Sequence, residues 1–236
     1  MKKSFVIFLS ILSLTLFGQE KTYRLLYDFH QVYENKNNKT NVSEALKEEL
    51  NKSHQIEVFA NNNQSFIHLI DVISNSQANI FLDIKPEPNW YLIDRNSSKT
   101  FEKATNPNQK FKYLQNTIQT LDLKSTGEKN TILGIVAEEF KAETDEYYYT
   151  FWLGDLNGIT ASPVYFQFKN FVVLKAFIVF KTAEKNGGKR EISYLLNNFK
   201  EQSYDFKKLT PKKFTTIDEY DKQLKQFESN EGVEKD

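Results

Sequence analysis

Between residues 22 and 30 the chain largely alternates, with Tyr23, Leu25, Tyr27 and Phe29 on one side and Arg24, Asp28 and His30 on the other. A period of two with aromatic and apolar residues at every second position predicts a strand with one buried face. Residues 56–59, an Asn61-Asn62-Asn63 turn and residues 65–73 then predict strand, turn, strand, because Asn tolerates the left-handed backbone of tight turns. Residues 65–73 carry apolar groups on both faces, which suits a buried strand and a short buried helix equally. After Pro86 and Pro88, residues 90–93 and 99–101 restart the strand pattern around Arg95-Asn96-Ser97-Ser98.

Further along, strands are expected at 117–124, 131–142 and 147–153, with turns at 125–128 and 143–145. Their short links make them antiparallel neighbours. Two long strands, 171–182 and 190–204, join through Asn186-Gly187-Gly188, the clearest hairpin signal in the chain. Helical patterns occur twice. Residues 43–51 (SEALKEELN) have the composition of a short inserted helix, and Thr216 to Glu219 fits capping-box spacing ahead of Ile217, Tyr220, Leu224 and Phe227. Residues 229–236 read as a frayed polar tail. No repeat or composition break marks a second domain, so residues 19–236 are expected to form one β-rich domain.

The first 18 residues stand apart. Met1-Lys2-Lys3 precedes an apolar run at 5–17, too short for a helix to cross a hydrocarbon core of about 30 Å. This is a signal-peptide pattern, with Gly18 the small residue before the cut. Leu16, bulky for its place, could shift that cut by a residue or two. No Cys follows, so a lipid-anchored lipoprotein is not expected. The longest later apolar stretch, 171–180, is interrupted by Lys175, so no transmembrane span is expected in the mature chain. The expected location is the periplasm or outer envelope, or the exterior.

Charge changes the picture only after processing. The precursor is neutral, with 31 basic and 31 acidic residues; without Lys2 and Lys3 the balance becomes 29 against 31, or −2. Nothing approaches the basic patch of a nucleic-acid binder. The absence of Cys excludes disulfides and thiolate chemistry.

Candidate chemistry is sparse. His68 and Asp71 have a ligand-like interval on a helix, but on a strand they face opposite sides, and His30 and His54 show no ligand spacing. Serine-nucleophile, zinc-protease and phosphate-loop motifs do not occur. Glu138-Glu139 and Asp218-Glu219 suit solubility and capping. No enzyme activity, metal or cofactor is expected. The aromatic residues are more informative: Tyr147-Tyr148-Tyr149, Phe151-Trp152, Tyr165-Phe166, Phe168, Phe171 and Phe177 fall within one short stretch. Consecutive aromatics on a strand point to both faces, so one set builds the core and the other needs a cover. The terminal helix, a partner or an apolar ligand could supply it. The residues expected to line a ligand cavity are Tyr149, Trp152, Phe166, Phe168 and Phe177.

Residues 130–153, NTILGIVAEEFKAETDEYYYTFWL, resemble the centre of the GLPGLI family of secreted proteins of Gram-negative bacteria. Ile132-Leu133-Gly134 and Ala142 match its "k-x-I-L-G-y-x-c-x-k-A" segment, and Tyr149-Thr150-Phe151-Trp152 its "y-t-a-W-y" strand. The name-giving stretch falls near residues 168–174, which here read FKNFVVL, and Ala137 lies near the position of the family's usual Cys. The resemblance implies a divergent member with a fold similar to outer-membrane lipoprotein carriers. The expected fold is mainly β (α+β): a curved antiparallel sheet or half-open barrel with a short inserted helix and a carboxy-terminal amphipathic helix. The expected function is an exported, non-enzymatic envelope protein that binds an apolar ligand or lipid in a sheet-lined cavity. The alternative is an interaction or scaffold protein for outer-membrane transport or secretion machinery, with an exposed patch or free sheet edge and with Phe171 and Val173 as probes.

Overall fold

The computed structural model describes residues 21–35, 54–70, 90–103, 112–166, 168–185 and 188–231. The leader, the helix expected at 43–51, Pro86, Pro88 and Asp71 lie outside them. Twelve strands form one open, curved sheet: β1 (Tyr23–Asn35), β2 (His54–Ala60), β3 (Gln64–Leu69), β4 (Trp90–Asp94), β5 (Lys99–Lys103), β6 (Tyr113–Thr117), β7 (Lys124–Ile132), β8 (Ile135–Glu143), β9 (Tyr147–Gly154), β10 (Val172–Phe180), β11 (Gly188–Glu201) and β12 (Thr215–Thr216). Their spatial order is β12-β6-β5-β4-β3-β2-β1-β11-β10-β9-β8-β7, antiparallel except for β12 against β6. Two α-helices, α1 (Lys181–Lys185) and α2 (Ile217–Glu231), and a 3-10 turn at Phe206–Lys208 complete the described elements.

The alternation of β1 sets the inner face. Tyr23, Leu25, Tyr27 and Phe29 are buried on it, and the register continues it through Val58 and Ile67 on one side and Leu196, Ala176 and Phe151 on the other. A second, smaller core lies on the outer face, where Phe59, Phe66, Leu92 and Phe101 pack beneath Phe206, Tyr204 and Leu209 of the segment that follows β11.

Local chemistry accounts for the turns and ends. The side-chain oxygen of Asn61 accepts from the backbone N–H groups of Asn63 (2.9 Å) and Gln64 (2.6 Å), closing the β2–β3 turn. At the start of α2 the predicted capping box forms: Thr216 N–H donates to the Glu219 carboxylate (2.9 Å) and Glu219 N–H donates back to the Thr216 hydroxyl (3.3 Å). These bonds hold the Glu219 carboxyl below its ordinary range.

The structure departs from the sequence pattern in several places. The strand expected at 117–124 does not form: β6 ends at Thr117 and β7 begins at Lys124, with an isolated bridge from Gln119 to Phe166 between them. Residues 181–182, expected to end a strand, open helix α1, and Asn186-Gly187 of the expected hairpin turn lie outside the described residues. Of residues 65–73, Ser65 to Leu69 are strand, so the helical alternative is excluded there. The turn expected at 125–128 is a bulge inside β7, with the register shifting between Ser125 and Lys129. The chain reverses instead at Leu133-Gly134, both with positive φ (+51° and +78°), inside what reads as one strand at 131–142. Finally, the described contacts of α2 are with β12 and β6 at the sheet edge. The inner aromatic rows are covered by the described residues of 155–171, all but Gln167, which carry isolated bridges but no helix or strand and cross the inner face between β9 and β10.

Candidate functional site

Residues 155–171 reach the inner face because both ends are tied to it. Asn157 Nδ2 donates to the Tyr23 hydroxyl (2.6 Å), and Arg95, in the β4–β5 turn, donates to the Thr160 carbonyl (3.0 Å) and the Ser65 hydroxyl (2.7 Å). Ser65 Oγ donates to the same Thr160 carbonyl (3.2 Å). At the far end, Ala161 and Val172 form a bridge, and the buried Tyr27 hydroxyl donates to the Val173 carbonyl (2.8 Å). The polar ends held, the middle of the segment turns its rings inward. Phe168 meets Phe151 edge-on with centroids 4.9 Å apart, Phe166 meets Tyr149 at 5.4 Å, and Tyr165 lies 5.7 Å from Tyr91.

The result is a tyrosine cluster. Burial raises the Tyr91 and Tyr149 hydroxyls to about 12, and the proximity of Tyr165 adds to both shifts. Tyr194, beside Phe29 at 5.2 Å, is pushed further up, again by burial first and Tyr165 second. These hydroxyls stay protonated at neutral pH, so the cluster presents ring faces and neutral hydrogen-bonding groups. At its margin Tyr149 alone of the cluster reaches a cleft of about 400 Å³, lined also by Ala142, Tyr148, Thr150, Asp122, Lys124, Lys141 and Glu143. That volume falls within the range of small-molecule sites. Apolar surface on one side and charged groups on the rim suit an amphipathic guest.

Of the five residues expected to line a cavity, Tyr149, Phe166 and Phe168 are brought together on the inner face, where they are buried against one another. Trp152 and Phe177 are not. By the alternation of β9 and β10 they point to the outer face, half-buried, with Lys175 Nζ 4.6 Å above the Phe177 ring. Tyr91, Tyr165 and Tyr194 join the buried cluster behind Tyr149 and do not line the cleft; that they meet was not legible in sequence, since they come from distant segments with no shared spacing.

His68 has a different neighbourhood from the one its sequence interval suggests. It lies on the outer face of β3, with Nε2 3.0 Å from the Glu57 carboxylate, which Arg24 also grips. Its ring stacks on Phe66 at 4.9 Å. Burial lowers its pKa, opposed by Glu57 and reinforced by Arg24. No group of three or more metal-ligating side chains occurs among the described residues.

No family model matches the chain, and no curated protein matches it. Among solved structures it is similar to PNGF-II in two crystal forms, C2 and P21, with TM-scores of 0.54 and 0.52 and 15% identity over 85% and 86% of this chain. The chain corresponds to about a third of PNGF-II, 32% of its length, and at this identity the likeness concerns the fold alone. A DUF1329 family protein from Desulfovibrio piger matches over 84% of this chain and 93% of its own at 7% identity, with a TM-score of 0.29 that carries no argument.

Proposed function

We propose that this protein is exported and binds, without catalysis, an apolar or amphipathic ligand at the tyrosine-lined cleft. Residues 155–171 act as the movable wall of the site. The observation that carries the reading is the cleft itself: its floor, Tyr149 and Ala142, is continuous with the aromatic cluster, while Lys124 and Lys141 on its border can meet a polar end. Side-chain bonds at Asn157, Ser65 and Arg95 tie the first part of the wall, and Ala161 also bonds backbone to backbone with Phe171 and Val173, so the bridge to β10 opens if the wall moves. The export part rests on the amino-terminal pattern. The chain also turns where the resemblance to the GLPGLI family places the name-giving stretch. Asn170 has φ of +59° in a Lys169-Asn170 turn, a conformation that Gly adopts readily, so the chain turns there without the family's Pro-Gly.

Native mass spectrometry and lipid extraction on protein purified from cell envelopes test the reading. A bound small molecule is expected, and Ala142→Phe, which fills the cleft floor, should release it while the thermal midpoint stays measurable. Protein that carries nothing in either form would overturn the proposal.

A second reading, a scaffold for envelope machinery, is favoured by the outer face of β9 to β11, where Tyr148 and Leu195 are exposed beside half-buried Trp152 and Phe177. Crosslinking in intact cells distinguishes it. Phe171 is a usable probe because it is exposed, but Val173 is fully buried, so Leu195→Ala, outside the cleft, takes its place. A specific partner lost on that substitution supports the scaffold, and no specific partner counts against it.

A further inference from the structure

The cover over the inner face stops short of one end. Tyr149, Phe151, Ala176 and Tyr194 are buried, whereas Tyr147, Ile178, Phe180, Arg190 and Ile192, nearer that end of β9, β10 and β11, are half-buried. The register puts all of them on the inner side. This partly open strip runs ring to ring from the cleft. Tyr147 lies 5.8 Å from Tyr149, which lines the cleft, and meets Phe180 edge-on at 4.9 Å. Arg190 ends the strip, its guanidinium 4.2 Å over the Phe180 ring.

Arg190 is out of keeping with that face. Among the described residues it is the one Lys or Arg that the register places on the inner side of β1–β3 and β9–β11. Its charge is permanent, and its Nε is enclosed by protein with no hydrogen-bond acceptor in reach. No described carboxylate pairs with it; the adjacent Glu191 faces the outer side and pairs with Lys189 at 3.1 Å. Stacking on one ring offsets only part of the cost of holding such a cation on an apolar face. The cleft end differs. There Asp122 and Glu143 stand against Lys124 and Lys141, Glu139 engages Lys141 at 3.4 Å, and Glu146 acts on Tyr149. An anion therefore finds an unbalanced cation at the Arg190 end.

We propose that Arg190 receives the acidic head group of an amphiphile whose hydrocarbon tail runs along Phe180 and Tyr147 into the cleft. The inference rests on the ligand reading above and gives the ligand its class, one carboxylate or phosphate on an apolar chain. Arg190 stands two strand spacings from β9, about 10 Å at ~4.8 Å each, so rings alone separate head from tail. With Nε enclosed, the terminal nitrogens are those an incoming head meets, and they can donate to two oxygens at once, a geometry that carboxylate and phosphate share.

Displacement of the neutral dye Nile red by dodecanoate, dodecyl phosphate and dodecanol tests it. The parent should bind at least one of the acids about tenfold more tightly than the alcohol. Arg190→Gln should lose that preference and keep its affinity for dodecanol, which shows in the same titration that the variant is folded. Arg190→Lys, which keeps the charge without the planar fork, should retain part of the preference. Equal affinity for acids and alcohol in the parent, or a preference that survives Arg190→Gln, would overturn the inference and leave the ligand reading standing. A parent from which none of the three displaces the dye would remove that reading, and this inference with it.

Discussion

Tyr27 ties two strands of the sheet together: its ring is fully buried on β1 and its hydroxyl reaches the Val173 carbonyl of β10 at 2.8 Å. Removing the donor while keeping the ring isolates that bond. Tyr27→Phe should cost about 1 kcal/mol, read as a lower urea midpoint at unchanged slope. Gly154 is constrained by space. A Cβ there would lie 2.7 Å from Ile135 Cγ2, 2.8 Å from Leu174 Cδ1 and 3.1 Å from the Val136 carbonyl oxygen. Gly154→Ala should therefore destabilise by about 1–3 kcal/mol, since strands β8 and β10 must both give way. The first of these positions is legible in sequence as a core residue, through alternation. The second is not, because the atoms that crowd Gly154 belong to neighbouring strands whose register no local pattern specifies. The hairpin tip was missed for a related reason: Leu-Gly lacks the Asn that usually announces two left-handed residues, so residues 131–142 read as unbroken strand.

At the level of elements, the strands that alternate cleanly, β1 above all, and the helix with a capping box are where the pattern places them. Residues 155–171 are the contrary case. They have no periodicity, and their aromatic residues look like an extension of those in β9, yet they form the second wall of the inner face. Phe168 is their main anchor, 1% exposed and edge-on to Phe151. Phe168→Ala should cost about 3–5 kcal/mol if the space stays empty. Limited proteolysis should then cut within 155–171 before the sheet, whereas cleavage of both at one rate would show that the segment does not move independently. The amphipathic helix offered a plausible cover in sequence, but its described contacts lie at the β12 edge.

Across the whole molecule, the buried tyrosines link stability to alkaline pH. In the unfolded chain their hydroxyls ionise near ~10. In the fold burial raises Tyr91 and Tyr149 to about 12, and Tyr27 and Tyr194 further still. The folded state thus holds these protons more tightly, so its stability is intact below pH ~10 and falls as pH rises through that value toward the folded values. Urea midpoints measured from pH 8 to 12 should decline over that window, and Tyr194→Phe should flatten the decline; a curve unchanged by the substitution would count against burial of its hydroxyl. The same scale shows what each level of information decided. Composition and alternation alone determined a mainly β chain with aromatic strands and one capped terminal helix, because strand period and capping depend on residues near one another in sequence. Only the tertiary structure decided that Trp152 and Phe177 face away from Tyr149, Phe166 and Phe168, that His68 meets Glu57, and that four tyrosines gather from four segments. Those outcomes depend on strand register, bulges and the path of a segment without regular structure. Such features are set by packing between residues far apart in the chain.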